Sequence, residues 1–237
     1  FLGNAGGIYA SAVAGDDSVA YAEAAIAIGP YGATTINLGE IEAYASAGDD
    51  STAFASGSLT QSTLGYAYMY NAANTITATA YTGDNGNSIA MASQVYGLLG
   101  ATTISPGAIT AIADSYENGV STAIGNITSS DQGIAILYSG TAISASATAD
   151  YNGTAVAQAA MVYGYYGAAT YSFGDITAYA EVGDSGQAVA YGSFTTAPYG
   201  NAVLLSLGDI SAVALAGAPR APLPPDGQRR STLAAPP

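Results

Sequence analysis

Seven times along the chain the pattern I-x-A-x-A returns, beginning at Ile8, Ile41, Ile76, Ile109, Ile143, Ile176 and Ile210, with steps of 33, 35, 33, 34, 33 and 34 residues. A period this regular in a strand-like pattern marks a repeat architecture, in which each unit is one brick that buries its apolar face only against its neighbours. Every unit has the same internal grammar. An alternating segment such as IEAYASA (41 to 47) leads into an acidic or Asn-Gly turn, and a second alternating segment such as TAFASGSL (52 to 59) follows. A glycine-containing corner such as PYGA (30 to 33) then opens a short third strand, ATTIN at 33 to 37. Period two runs throughout and a 3.6-residue period is nowhere sustained, so the chain is expected to be all-β.

A longer period overlies the first. GATT at 32 to 35 and 100 to 103, and GAAT at 167 to 170, mark every second unit, while Gly65, Gly133 and Gly200 precede YAYMY, IAILY and NAVLL in the others. Two architectures accommodate this. In a β-solenoid of about six three-stranded coils of 33–34 residues plus a partial seventh, the isoleucines form one internal column of stacked parallel strands. In an antiparallel meander, alternate units run in opposite directions and the structural repeat is the 67–68-residue pair. Recurrence of the Ile-Ala-Ala column in every unit favours the solenoid. On either reading residues 1–218 form a single β-repeat domain, and the Pro- and Arg-containing segment 219–237 is an irregular tail.

Charge and chemistry narrow the functions available. Net charge is −14, and the three basic residues, Arg220, Arg229 and Arg230, all lie in that tail. Such a body repels phosphate backbones, so no nucleic-acid partner is expected. Without His, Lys or Cys there is no nucleophilic triad, no usual zinc or redox-metal ligand set and no phosphate-cradling Lys loop, and the chain is not expected to be an enzyme. No apolar run is long enough for a transmembrane helix. Absence of thiols and lysines suits a protease-rich exterior, and a small-residue, tyrosine-containing composition is silk-like.

The acidic turns are the best candidates for specific chemistry. Stacked at one corner, Asp16, Asp17, Asp49, Asp50 and Asp84, with Asp184 farther along, would crowd carboxylates that calcium, with its six to eight oxygen ligands, could relieve. The plain alternative is that Asp and Asn serve the turn itself. Two sequons, at Asn126 and Asn152, are candidate glycosylation sites. Tyr31, Tyr96, Tyr163, Tyr165, Tyr166 and Tyr199 gather near the glycine corners, where they could form ladders or subunit contacts.

The phrase G-[DE]-I-x-A at Gly39, Gly174 and Gly208 resembles the strand repeats of bacterial filamentous-haemagglutinin-like secreted surface proteins. The resemblance covers residues 7 to 218 in pattern, and it implies secretion, a β-solenoid shaft and an adhesive or structural role. A stack that stops without a polar cap offers strand edges to another copy, and head-to-tail contacts of that kind do not close. The expectation is therefore an extracellular or cell-surface structural protein that self-assembles into a filament, sheath or matrix fibre. The alternative is a solenoid adhesin or binding module for carbohydrate, calcium or ice.

Overall fold

The structure, a computed structural model, describes residues 1–72 and 75–217; the expected tail at 219–237 lies outside the described residues. Twenty strands follow one another in coils. The first coil holds β1 (Leu2–Asn4), β2 (Ile8–Val13) and β3 (Val19–Gly29), and the second holds β4 (Gly32–Asn37), β5 (Ile41–Ala47) and β6 (Thr52–Ser62). The third runs through β7 (Tyr66–Asn71), β8 (Ile76–Thr82) and β9 (Asn87–Gly97), the fourth through β10 (Gly100–Ser105), β11 (Ile109–Ser115) and β12 (Val120–Ser130). Coil five comprises β13 (Ile134–Ser139), β14 (Ile143–Tyr151) and β15 (Thr154–Gly164), and coil six β16 (Gly167–Ser172), β17 (Ile176–Asp184) and β18 (Gln187–Thr196). A seventh coil contributes β19 (Asn201–Ser206) and β20 (Ile210–Ala216).

Like strands stack on like. The first strands of the coils form sheet A and the second strands sheet B, seven strands each, and the third strands form the six-stranded sheet C. All the pairings are parallel, so the fold is a β-solenoid and the antiparallel meander is excluded. The seven isoleucines fall in one register column of sheet B, from Ile8 opposite Ile41 to Ile176 opposite Ile210. They point inward with the alanines two and four residues on, and Ile41, Ala43, Ala45, Ile109, Ala111 and Ala113 are wholly buried. Alanine methyls fill little space, so the sheets lie close together, and each inward isoleucine, worth about 1.5–3 kcal/mol when buried, anchors its coil.

The longer period has its cause in the interior. In coils two, four and six a threonine of sheet A meets one of sheet C: Thr35–Thr60 at 2.6 Å, Thr103–Thr128 at 2.7 Å and Thr170–Thr195 at 2.7 Å. In coils three and five the same positions hold Met69 with Val95 and Leu137 with Val162, all fully buried. Hydroxyl-paired and apolar layers thus alternate up the stack, with every strand still running in the same direction.

Sheet C carries a second alternation. Its strands bend where one residue drops out of the ladder, between the pairs Glu23↔Ser56 and Ala25↔Ser58 and at the equivalent place in each coil. That residue runs Ala24, Gly57, Ala92, Gly125, Ala159, Gly192 up the stack. Two successive side chains face inward there, as in a β-bulge. The glycines occupy the threonine-paired coils: a Cβ on Gly125 would lie 2.5 Å from the Ala159 carbonyl oxygen and 2.9 Å from Ile143 Cγ2.

Sheet A is buttressed by inward amides. Asn4 Nδ2 donates to Asn37 Oδ1 (2.8 Å), Asn37 Nδ2 to Asn71 Oδ1 (2.7 Å) and Asn71 Nδ2 to Ser105 Oγ (3.1 Å). Serines then take over, each donating to a carbonyl two residues on, as Ser139 does to Thr141 and Ser172 to Gly174. These bonds satisfy polar groups at the corner between sheets A and B that would be costly to bury unpaired.

Candidate functional site: the acidic corner and the two ends

The turn from sheet B to sheet C is built on a left-handed residue. Asp17, Asp50, Asn85, Asn118, Asn152 and Ser185 all have φ between 49° and 57°, and no described glycine has positive φ. Asp, Asn and, in the sixth coil, Ser therefore carry the left-handed conformation at these turns. The glycines serve close approach instead. A Cβ on Gly133 would stand 1.8 Å from the Leu99 carbonyl oxygen, because coil backbones stack directly over one another at the corners.

Five of the six left-handed residues tie their coil to the next: Asp17 N–H donates to Asp49 O (2.9 Å), Asp50 to Asp84 (2.8 Å), Asn85 to Glu117 (2.7 Å), Asn118 to Tyr151 (2.5 Å) and Asn152 to Asp184 (2.8 Å). Asp16, Asp49 and Asp84 thus share one column, which continues through Glu117 and Tyr151 to Asp184. Asp17 and Asp50 stand in the neighbouring column. Of the six predicted metal ligands the structure stacks five in coils one to three and leaves Asp184 at the other end of the corner. Glu117 and Asp150 also join this corner, in coils whose Asn-Gly turns supply no candidate ligand among the six named from the sequence. The carboxylates have structural partners: Asp16 Oδ1 accepts from Asp49 N–H at 3.1 Å and Asp49 Oδ1 from Asp84 N–H at 2.9 Å. The corner between sheets A and B repeats the device, with Asp175 Oδ1 accepting from Asp209 N–H at 2.9 Å. Among the described residues no group of three or more acidic side chains is placed to hold a metal ion.

The two sequons part company. Asn126 is fully buried, lying inside sheet C with Nδ2 donating to Thr128 Oγ1 at 3.0 Å, so the expected glycan there has no room and that expectation is corrected. Asn152 is exposed at its turn. The pattern N-x-T does not record which face of a strand its asparagine takes.

Tyrosines cluster chiefly in the last coils. The ring of Tyr165 lies 4.9 Å from that of Tyr166, edge-on, and 4.6 Å from that of Tyr199 one coil on. Tyr31 stands exposed at the same edge near the other end of the molecule, and Tyr96 and Tyr163 lie half-buried on sheet C. The hydrogen bond to Tyr199 raises the Tyr165 phenol above its ordinary range, with burial adding to it. On sheet B, Tyr9 donates to Glu40 Oε2 at 3.1 Å and its pKa is raised by that bond, while Thr75 donates to Glu40 Oε1 at 3.1 Å. Glu40 thereby bridges side chains two coils apart.

At the ends the interior comes to the surface. Ile176 is fully buried, whereas Ile210, the next member of its column, is 44% exposed. Leu204, which continues the inward column of Leu137, is likewise 44% exposed. At the opposite end Ile8, Ala10 and Ala12 are only partly buried against the core. The Ile-Ala-Ala column of β20 thus repeats that of β2.

Comparison with protein-family models, curated proteins and solved structures finds no match. The fold and these surfaces define a tandem-repeat parallel β-solenoid. Among the described residues there is no helix long and apolar enough to cross a membrane.

Proposed function

We propose that this protein is a structural subunit of an extracellular filament, sheath or matrix fibre, growing by end-to-end stacking of solenoids. The observation that carries the reading is the exposed, pattern-matched pair of ends: the Ile-Ala-Ala column that stops at Ile210, Ala212 and Ala214 begins again at Ile8, Ala10 and Ala12. Unpaired parallel strand edges recruit further strands, and a contact between different faces of one molecule propagates without closing. An exterior location is supported by the absence of Lys and Arg from residues 1–219, which leaves trypsin-like proteases no site in the repeat, and by the resemblance to secreted strand-repeat proteins.

Electron microscopy of the full chain at neutral pH is expected to show filaments with an axial spacing near ~4.8 Å. Because Asp16 and Asp49 already accept backbone amides, the same filaments are expected with and without a calcium chelator. Ile210→Lys puts a charge on one end while leaving six coils intact. It is expected to stop its own polymerisation and, added in small amounts, to cap wild-type filaments through its unaltered β2 end. Discrete wild-type monomers under all these conditions would sink the filament reading and favour a solenoid adhesin.

A further inference from the structure

Among the described residues every Asp and Glu lies off the strands of sheet A, whose sequences are LGN, GATTIN, YAYMYN, GATTIS, IAILYS, GAATYS and NAVLLS. A molecule of net charge −14 therefore carries one broad face with no charge on it. Its outward side chains include Tyr66, Tyr68, Ile134, Ile136, Tyr171 and Val203, with Tyr66 at 66% and Ile134 at 53% exposed. Carboxylates frame it from the corners: Asp131 on one side, Glu40, Asp175 and Asp209 on the other. An uncharged, tyrosine-rich centre with a charged rim is the composition of a protein interface.

The relief of this face is specific. In coils two, four and six the leading outward positions are small, Gly32 and Thr34, Gly100 and Thr102, Gly167 and Ala169; in coils three and five they are Tyr66 and Tyr68, Ile134 and Ile136. Ridges and troughs thus alternate with a two-coil period of about 10 Å. One trough is an open recess at Gly167 and Ala169, walled by Ile134, Ile136, Tyr171 and Val203.

We propose that sheet A is a lateral interface between two copies of this chain, packed face to face with the solenoids antiparallel and offset so that coils three and five of one sit over coils four and two of the other. The occupant follows from the relief and the charge. A two-fold axis along the solenoid would set ridge on ridge. A two-fold axis along the strands pairs each coil with one of opposite kind when coil one lies over coil six, so ridges enter troughs. It also brings together the one broad face on which two strongly acidic molecules oppose no carboxylates. Strands of six residues pair across coils two to five, and three-residue β1 lies over part of β16, so the contact covers roughly 950 Å² over both copies, the size of a small, concentration-dependent pair. This contact closes on itself, unlike end stacking, and is independent of it.

Sedimentation velocity and electron microscopy of the full chain test it with two substitutions. Ile136→Glu places a carboxylate on a ridge of sheet A; Thr79→Glu does the same on the outward face of sheet B. Both side chains are on the surface of their sheets, and circular dichroism should show the same strand content in both variants. Wild type and Thr79→Glu are expected as closed pairs of twice the monomer mass, or as filaments of double width where ends also stack. Ile136→Glu is expected as monomers or single-width filaments, with pairing weakened on the order of a hundredfold. Pairing by Ile136→Glu equal to wild type, or wild type found unpaired at every concentration, overturns the proposal. Single-width wild-type filaments would overturn it while leaving end stacking intact.

Discussion

Thr35 and Thr60 show how much a single layer depends on one hydroxyl contact. Both are buried, and their oxygens meet at 2.6 Å. Thr35→Val is expected to cost about 1–3 kcal/mol, because it leaves the Thr60 hydroxyl buried without its partner. The double variant Thr35→Val/Thr60→Val, which installs an apolar layer like that of Leu137 and Val162, is expected to recover most of the loss in chemical denaturation. An unrecovered double variant would show that the layer chemistry, and not pairing, sets stability. Tyr21 offers a pH-dependent check. Burial raises its phenol from 10.0 to about 12, with a hydrogen bond to Glu23 contributing. The folded state holds the proton more tightly than the unfolded chain. Its contribution is full below pH 10 and fades as the pH rises through about 12, so in chemical denaturation Tyr21→Phe is expected to lose less stability than wild type across that window. Single residues were also the scale at which sequence reasoning erred. An asparagine in a sequon has the same letters whether it faces a core or solvent, and Asn126 took the inward option.

At the scale of strands and coils, the coil length, its three segments and the inward Ile-Ala-Ala face were legible, because period-two alternation and a 33–35-residue step are direct projections of the stack onto the chain. The double period was legible as a pattern but not as a cause. It suggested reversal of strand direction, whereas it arises from Thr–Thr contacts between sheets A and C, 25 residues apart in each pair, and from the Ala/Gly bend of sheet C. Contacts across a core leave no local signature. The alternation makes coils non-equivalent bricks. Deleting residues 32–65 joins Tyr31 to Tyr66 and sets the Leu2 layer on that of Met69; deleting 32–99 joins Tyr31 to Gly100 and restores an apolar layer beneath a threonine pair. The larger deletion is expected to melt at the higher temperature in calorimetry. The opposite order would show the layers to be interchangeable.

Across the whole molecule, the acidic corner was legible as a stack of turns, and its carboxylates prove to be acceptors for the next coil's amides. The uncharged face was not legible, although every residue of it was in view, because its emptiness of charge emerges only when strands 33–34 residues apart are laid side by side. The stacking direction also decides how this molecule bears load. Hydrogen bonds between coils run along the solenoid axis, so tension on the two ends of the chain concentrates on the outermost coil and peels it away before the next is stressed. Each coil released turns about 5 Å of stacked height into about 110 Å of free chain. The solenoid is in that sense a ratcheted extensible fuse, yielding in equal lengths, with a grip that alternates between hydroxyl-paired and apolar layers as it unwinds.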